Sequence, residues 1–89
     1  MENPIIQKVA EDIKKFNKEA ITIKQTGFIS NQIFIDRLIY NIEYDTLNLK
    51  DEFKGTYVTI NLNQVYKVEK SNNELTLYID NDTQITLII

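Results

Sequence analysis

Apolar residues recur at Ile6, Val9, Ile13, Phe16 and Ala20 in alternating steps of three and four, with Ile5 and Ala10 widening the stripe. That spacing puts one apolar face on a helix. Glu11, Asp12, Lys14, Lys15, Lys18 and Glu19 occupy the rest of the wheel. Asn3 is a favoured N-cap, and Pro4 falls at the first helical position, where its missing N–H is no loss. The pattern predicts an amphipathic helix over 3–19. A coiled-coil seam needs about three or four heptads, and this stripe is shorter. It is therefore expected to pack on the chain's own sheet.

From Ala20 to Gln25 the period changes to two, with Ile21 and Ile23 on one face and Thr22 and Lys24 on the other. Gly27 closes that strand. The stretch from Ile29 to Ile42 is dense in β-branched residues and reads as strand. Phe34, Leu38 and Ile42 also lie at helical spacing behind Ser30, so a short helix stays open there. Tyr44 to Lys50 reads as strand, followed by a polar loop over 51–55. Tyr57 to Leu62 alternates, Asn63–Gln64 marks a bend or bulge, and Val65 to Lys70 continues as strand. Ser71–Asn72–Asn73–Glu74 is a turn signal, because Asn tolerates positive φ. Leu75, Leu77 and Ile79 then alternate with Thr76, Tyr78 and Asp80. A turn at Asn81–Asp82 leads to Ile85, Leu87 and Ile89.

These elements predict one α+β domain over 1–89: an N-terminal helix over 3–19, then a five- or six-stranded antiparallel meander over 20–89. One helix covers only part of one sheet face. Either the sheet curls into a small barrel, or a partner covers what the helix leaves open. Ile88 lies opposite Ile85, Leu87 and Ile89, so the last strand is apolar on both faces. Such a strand is buried on both sides or is an edge awaiting company, which favours self-association.

Composition narrows the chemistry. The 89 residues contain no histidine, cysteine or tryptophan, and ten Lys and Arg stand against thirteen Asp and Glu for a net charge of −3. Without cysteine there is no disulfide, thiolate zinc site, iron–sulfur cluster or thiol nucleophile. Without histidine there is no Ser–His pair and no ordinary transition-metal site. Two glycines, Gly27 and Gly55, do not make a phosphate-cradling loop. No apolar run approaches the roughly 20 residues of a membrane span, and the N-terminus lacks the pattern of a secretory signal. The expectation is a cytoplasmic, non-enzymatic protein with no metal and no cofactor.

Several residue groups invite a functional reading, each with a plainer one beside it. Asp80, Asn81 and Asp82 supply oxygen ligands, but a calcium loop needs more of them and a sharp-turn glycine, and the same residues make ordinary turns. Glu43 with Asp45, or Asp51 with Glu52, would form an acid/base pair only if burial raised one pKa beside a cleft. Solvated charge on a strand face and in a loop is the expected state of both pairs. The tyrosines carry more weight. Tyr57 and Tyr78 are expected on the outward face with Thr59, Thr76 and Ile88, joined by Tyr66 if the 63–64 bulge shifts register. Exposed tyrosines stabilise sheets by cross-strand pairing, stack on bases, or anchor protein contacts. An acidic chain is a poor match for a phosphate backbone, so a protein-binding face formed by Tyr57, Tyr78 and Ile88 is the leading expectation.

Three segments, Ala20–Gly27, Ile42–Asp51 and Ile60–Val65, resemble the Sm-like barrel family. The resemblance implies a helix before a five-stranded bent barrel, assembly into rings, and binding of uridine-rich RNA. It places the nucleic-acid contacts at Asp45, Asn48 and Asn63. The sequence thus yields two functional expectations: a small self-associating or protein-binding module, and alternatively a small barrel binding single-stranded nucleic acid.

Overall fold

The computed structural model describes residues 3–27, 30–80 and 82–89. Ile29, where the expected 29–42 strand begins, and Asn81, of the expected turn and calcium set, lie outside the described residues. Helix α1 spans Pro4–Asp12, and the Asn3 side-chain oxygen accepts the Ile5 amide at 2.9 Å. A 3₁₀ turn over Ile13–Phe16 carries the stripe onward, so that Val9, Ile13 and Phe16 are fully buried. The helical segment therefore ends three residues short of the expected Glu19, and Ala20 is exposed. Backbone pairing with a strand is what competes with further helix. The Lys18 amide donates to the Leu38 carbonyl at 2.6 Å, and the Leu38 amide donates to that of Glu19 at 3.0 Å.

Eight strands follow where five or six were expected. They are β1 Ile21–Thr26, β2 Asn31–Ile35, β3 Leu38–Glu43, β4 Thr46–Asp51, β5 Tyr57–Asn61, β6 Lys67–Lys70, β7 Glu74–Tyr78 and β8 Gln84–Ile88. The ambiguous 29–42 stretch is strand in its described part, broken at Asp36–Arg37 into β2 and β3. Tyr44 and Asp45 form the β3–β4 turn and do not begin a strand. Tyr44 takes φ 58°, in the left-handed region a tight turn requires, and its side chain is exposed. No Asn-Gly or Asp-Gly pair announces this turn. Gly27 ends β1 at φ 142°, where a β-carbon would collide with the Asp82 carbonyl oxygen.

All pairings are antiparallel, in the orders β2-β1-β8-β7-β6 and β3-β4-β5. Taken in a circle this is the order of an eight-stranded meander. Ladders are missing between β2 and β3 and between β5 and β6 among the described residues, so the barrel does not close. At the first gap the chain turns a corner at Asp36–Arg37. At the second it crosses through a 3₁₀ turn, Leu62–Gln64, and α1 packs beside β6. The two sheets bury their inner faces against each other and against α1, with Leu75, Leu77 and Leu87 meeting Leu38, Leu47 and Leu49 in one cluster. The second sheet thus covers what the helix cannot. The last strand is also not an edge: β8 lies between β1 and β7, and Ile88 is flanked by Thr22 and Glu74.

The corner depends on Asp51, the one fully buried charged side chain among the described residues. This corrects the expectation of a solvated loop carboxylate. One of its oxygens accepts the Asp36 amide at 2.9 Å and the other accepts the Phe53 amide at 3.0 Å. The Glu52 amide donates to the Arg37 carbonyl at 2.9 Å. Outside this knot, Arg37 pairs with Glu52 at 3.1 Å and Lys54 with Asp36 at 3.3 Å. The β2–β3 corner and the β4–β5 loop are therefore tied together through one carboxylate. The Asp36 amide leads several backbone donors in holding the Asp51 carboxyl below its ordinary 3.8, against the opposing effect of burial.

Two stability predictions follow from this packing. Leu75→Ala removes a fully buried side chain and is expected to cost about 2–5 kcal/mol in chemical denaturation. Because the Asp51 pKa is depressed, its contribution is complete above the ordinary carboxylate value of 3.8 and is lost as pH falls through the lower folded value. Asp51→Asn turns an NH2 group toward amides that need an acceptor. It should lower the melting temperature at neutral pH and flatten the acid limb of the stability profile. A melting temperature unchanged at pH 7 would show that the joint does not depend on the carboxylate.

Candidate functional site: two open sheet faces

The outward face of the five-stranded sheet is built in rows across the strands. Phe34, Thr22, Ile88 and Glu74 form one row; Gln32, Lys24, Thr86, Thr76 and Glu69 form the next; Thr26, Gln84, Tyr78 and Lys67 form the third. Thr76 and Thr86 hydroxyls lie 3.2 Å apart at the centre. Tyr78 and Ile88 share this face but sit in different rows at its two ends. Tyr57 is not with them. It stands in β5, on the three-stranded sheet, because the strands divide into two sheets between β5 and β6. The expected single Tyr57/Tyr78/Ile88 face is therefore two faces.

Tyr78 is tied to its neighbours. Its ring lies 6.2 Å from that of Tyr66, with Lys67 5.3 Å above it. Its hydroxyl hydrogen-bonds the Glu69 carboxylate, which holds Glu69 below its usual range, with Lys67 reinforcing the effect. The same bond pushes the Tyr78 hydroxyl up. Tyr66 joins Tyr78 by way of the 3₁₀ turn, and the Tyr66 amide donates to the Tyr78 carbonyl at 2.9 Å. At the opposite edge Phe34 is 64 % exposed. Sequence analysis singled out no face for it, because the 29–42 stretch was read as strand with a short helix left open. The alternation within Gln32–Ile33–Phe34–Ile35 was the available signal.

The outward face of the three-stranded sheet carries Ile39, Lys50 and Tyr57 in one row, with Asn41, Asn48 and Thr59 in the next. Together with Tyr40, five of these line a shallow depression of about 320 Å³. Tyr57 is 71 % exposed, and Thr59 donates to the Asn48 side-chain oxygen at 3.2 Å. Of the contacts implied by the Sm-like resemblance, Asp45 and Asn63 meet, Asn63 donating to the Asp45 carboxylate. Asn48 stands apart from them on the sheet face. Eight strands in two unclosed sheets also replace the five-stranded barrel that the resemblance implies.

The remaining candidates serve the fold. Glu43 ends β3 and Asp45 is in the following turn, so they do not share a strand face. Asp51 is buried while Glu52 is exposed and paired with Arg37. Asp80 accepts the Asp82 and Thr83 amides at 2.8 and 2.7 Å, a turn that lowers its pKa. A concavity of about 880 Å³ between α1 and the β6–β7 turn is rich in lysine. Three of its four lysines are engaged: Lys8 and Lys70 flank Asp12 at 3.4 and 3.2 Å, and Lys15 donates to the Ser71 and Asn72 carbonyls. No described helix is long and apolar enough to cross a membrane.

No protein-family model, curated protein or solved structure matches this chain.

The Tyr78–Glu69 bond gives a direct test of this geometry. In Tyr78→Phe the Glu69 carboxyl should titrate higher, back toward its ordinary 4.5, as followed by carboxyl carbon NMR shifts against pH. A Glu69 titration that does not move would leave Lys67 as the sole cause.

Proposed function

We propose that this protein is a non-enzymatic interaction module that associates with a second copy of itself. The contact runs through β2 and the Tyr/Thr-rich face that β2 borders. The observation that carries the reading is Phe34, a large exposed apolar side chain on an edge strand without charge, proline or bulge. Natural edge strands are usually guarded by such features. The other edge of the same sheet is guarded, since β6 reads Lys-Val-Glu-Lys and has α1 packed beside it.

A second copy is the occupant that fits this edge. Asn31-Gln32-Ile33-Phe34-Ile35 meets no like-charge repulsion from itself, although the chain as a whole is acidic. Antiparallel pairing about Ile33 sets each Gln32 opposite the other copy's Phe34. The two Phe34 positions then lie diagonally, about 7–8 Å apart, which puts their phenyl rings within reach of each other. A two-fold axis closes such a contact and leaves β2 no longer exposed. Ile88 and Thr22 extend the phenyl row inward, so the row of contacts on this face runs from the edge to the sheet centre.

Light scattering coupled to size exclusion, over a range of concentrations, tests the reading. The mass should rise from 10.5 kDa toward twice that value. Phe34→Lys, at an exposed position, should remain folded by circular dichroism and stay at the mass of one chain. Tyr57→Ala, on the other sheet, should behave as the parent protein does. A mass of one chain at every concentration, or dimerisation that survives Phe34→Lys, would sink the assignment.

A further inference from the structure

We propose that the depression on the outward face of the three-stranded sheet binds one nucleoside monophosphate, with its base on Tyr57 and its phosphate at Lys50. Lys50 and Tyr57 are direct partners across β4 and β5, which places their β-carbons about 5 Å apart on the same face. The Tyr57 ring offers an exposed surface on which a planar base stacks, an interaction that tolerates any base because each has a π-face. Lys50, like Lys14, Lys18 and Lys24, makes no ion pair among the described residues, and it is the one of these that pairs with Tyr57 across the strands. It is an unneutralised cation beside an exposed ring, and an anionic aromatic ligand complements both.

The next row supplies hydrogen bonding for the edge of the base. Asn41 and Asn48 are partners across β3 and β4. The bond from Thr59 fixes the Asn48 oxygen and leaves its NH2 group to donate. Asn41 brings both a donor and an acceptor. The volume of about 320 Å³ is at the small end for ligand sites.

The same face argues for one nucleotide over a strand. It provides a single cation, and Glu43 closes its far end opposite Thr46. A chain of net charge −3 repels a polyanion, while one phosphate at Lys50 avoids most of that cost. This site lies on a different sheet from β2 and stands independently of self-association.

The experiment is a titration of the 15N-labelled protein, followed by amide NMR shifts, with adenosine monophosphate, adenosine and a short oligo-dA as probes. Saturable shifts should centre on Asn41, Asn48, Lys50 and Tyr57. The monophosphate should bind about three- to fivefold more tightly than adenosine, the strength of an exposed ion pair. Lys50→Gln should erase that preference while adenosine binding persists. Tyr57→Leu should weaken both ligands by about 10- to 100-fold. Both positions are exposed, so the variants should fold as the parent does by circular dichroism. The proposal is overturned if no saturable shift occurs by about 10 mM ligand, an affinity too weak to define a site. It is equally overturned if adenosine matches the monophosphate, if Tyr57→Leu binds unchanged, or if the oligonucleotide binds far more tightly per nucleotide.

Discussion

The buried carboxylate of Asp51 is the joint on which the two-sheet arrangement depends. Where β2 turns into β3, and where β4 turns into β5, backbone amides lose their ladder partners in partly buried positions. A buried amide without an acceptor costs about as much as a lost hydrogen bond. Asp51 supplies an acceptor to each turn at once, through its two oxygens. Because both turns share the acceptor, the corner and the loop are held at a fixed relation. With that relation set, β3, β4 and β5 fold back over the five-stranded sheet, and the leucines of the two inner faces meet.

That folding has a consequence for the outer surfaces. A single meander would have presented one broad face with its tyrosines gathered on it. Two sheets packed face to face present two faces pointing away from each other. Tyr78 becomes part of a local cluster with Tyr66, Lys67 and Glu69, while Tyr57 stands over a small depression with an unpaired lysine beside it. The edges differ as well. On the five-stranded sheet β6 is charged and lies against α1, and β2 is neither. The two proposals, self-association at β2 and nucleotide binding at Tyr57, grow from this division.

Much of the local structure was legible because it depends on near neighbours. Asn3 and Pro4 announced the helix start, and the three-and-four spacing of Val9, Ile13 and Phe16 named the buried stripe. Alternation identified the inward residues of β1, β5, β7 and β8. What escaped were features set by distant partners. The helix end was misplaced because Lys18 and Glu19 bond to Leu38. The Tyr44–Asp45 turn lacks the Asn-Gly or Asp-Gly pair that marks a two-residue hairpin. Asp51 looked like an ordinary loop acid because one of the two amides it binds, that of Asp36, comes from a corner fifteen residues earlier in the chain.

By itself the sequence determined the class of the fold, the capped amphipathic helix, the inward face of most strands, and the absence of imidazole and thiol chemistry. These depend on residue type and on periods of two or 3.6, which any single strand or helix carries alone. The tertiary structure decided which strands pair, that β8 lies between β1 and β7, and which tyrosines share a surface. Those outcomes depend on contacts between residues far apart in sequence. Alternation states that a side chain points inward or outward, but not which sheet it belongs to or what lies across from it.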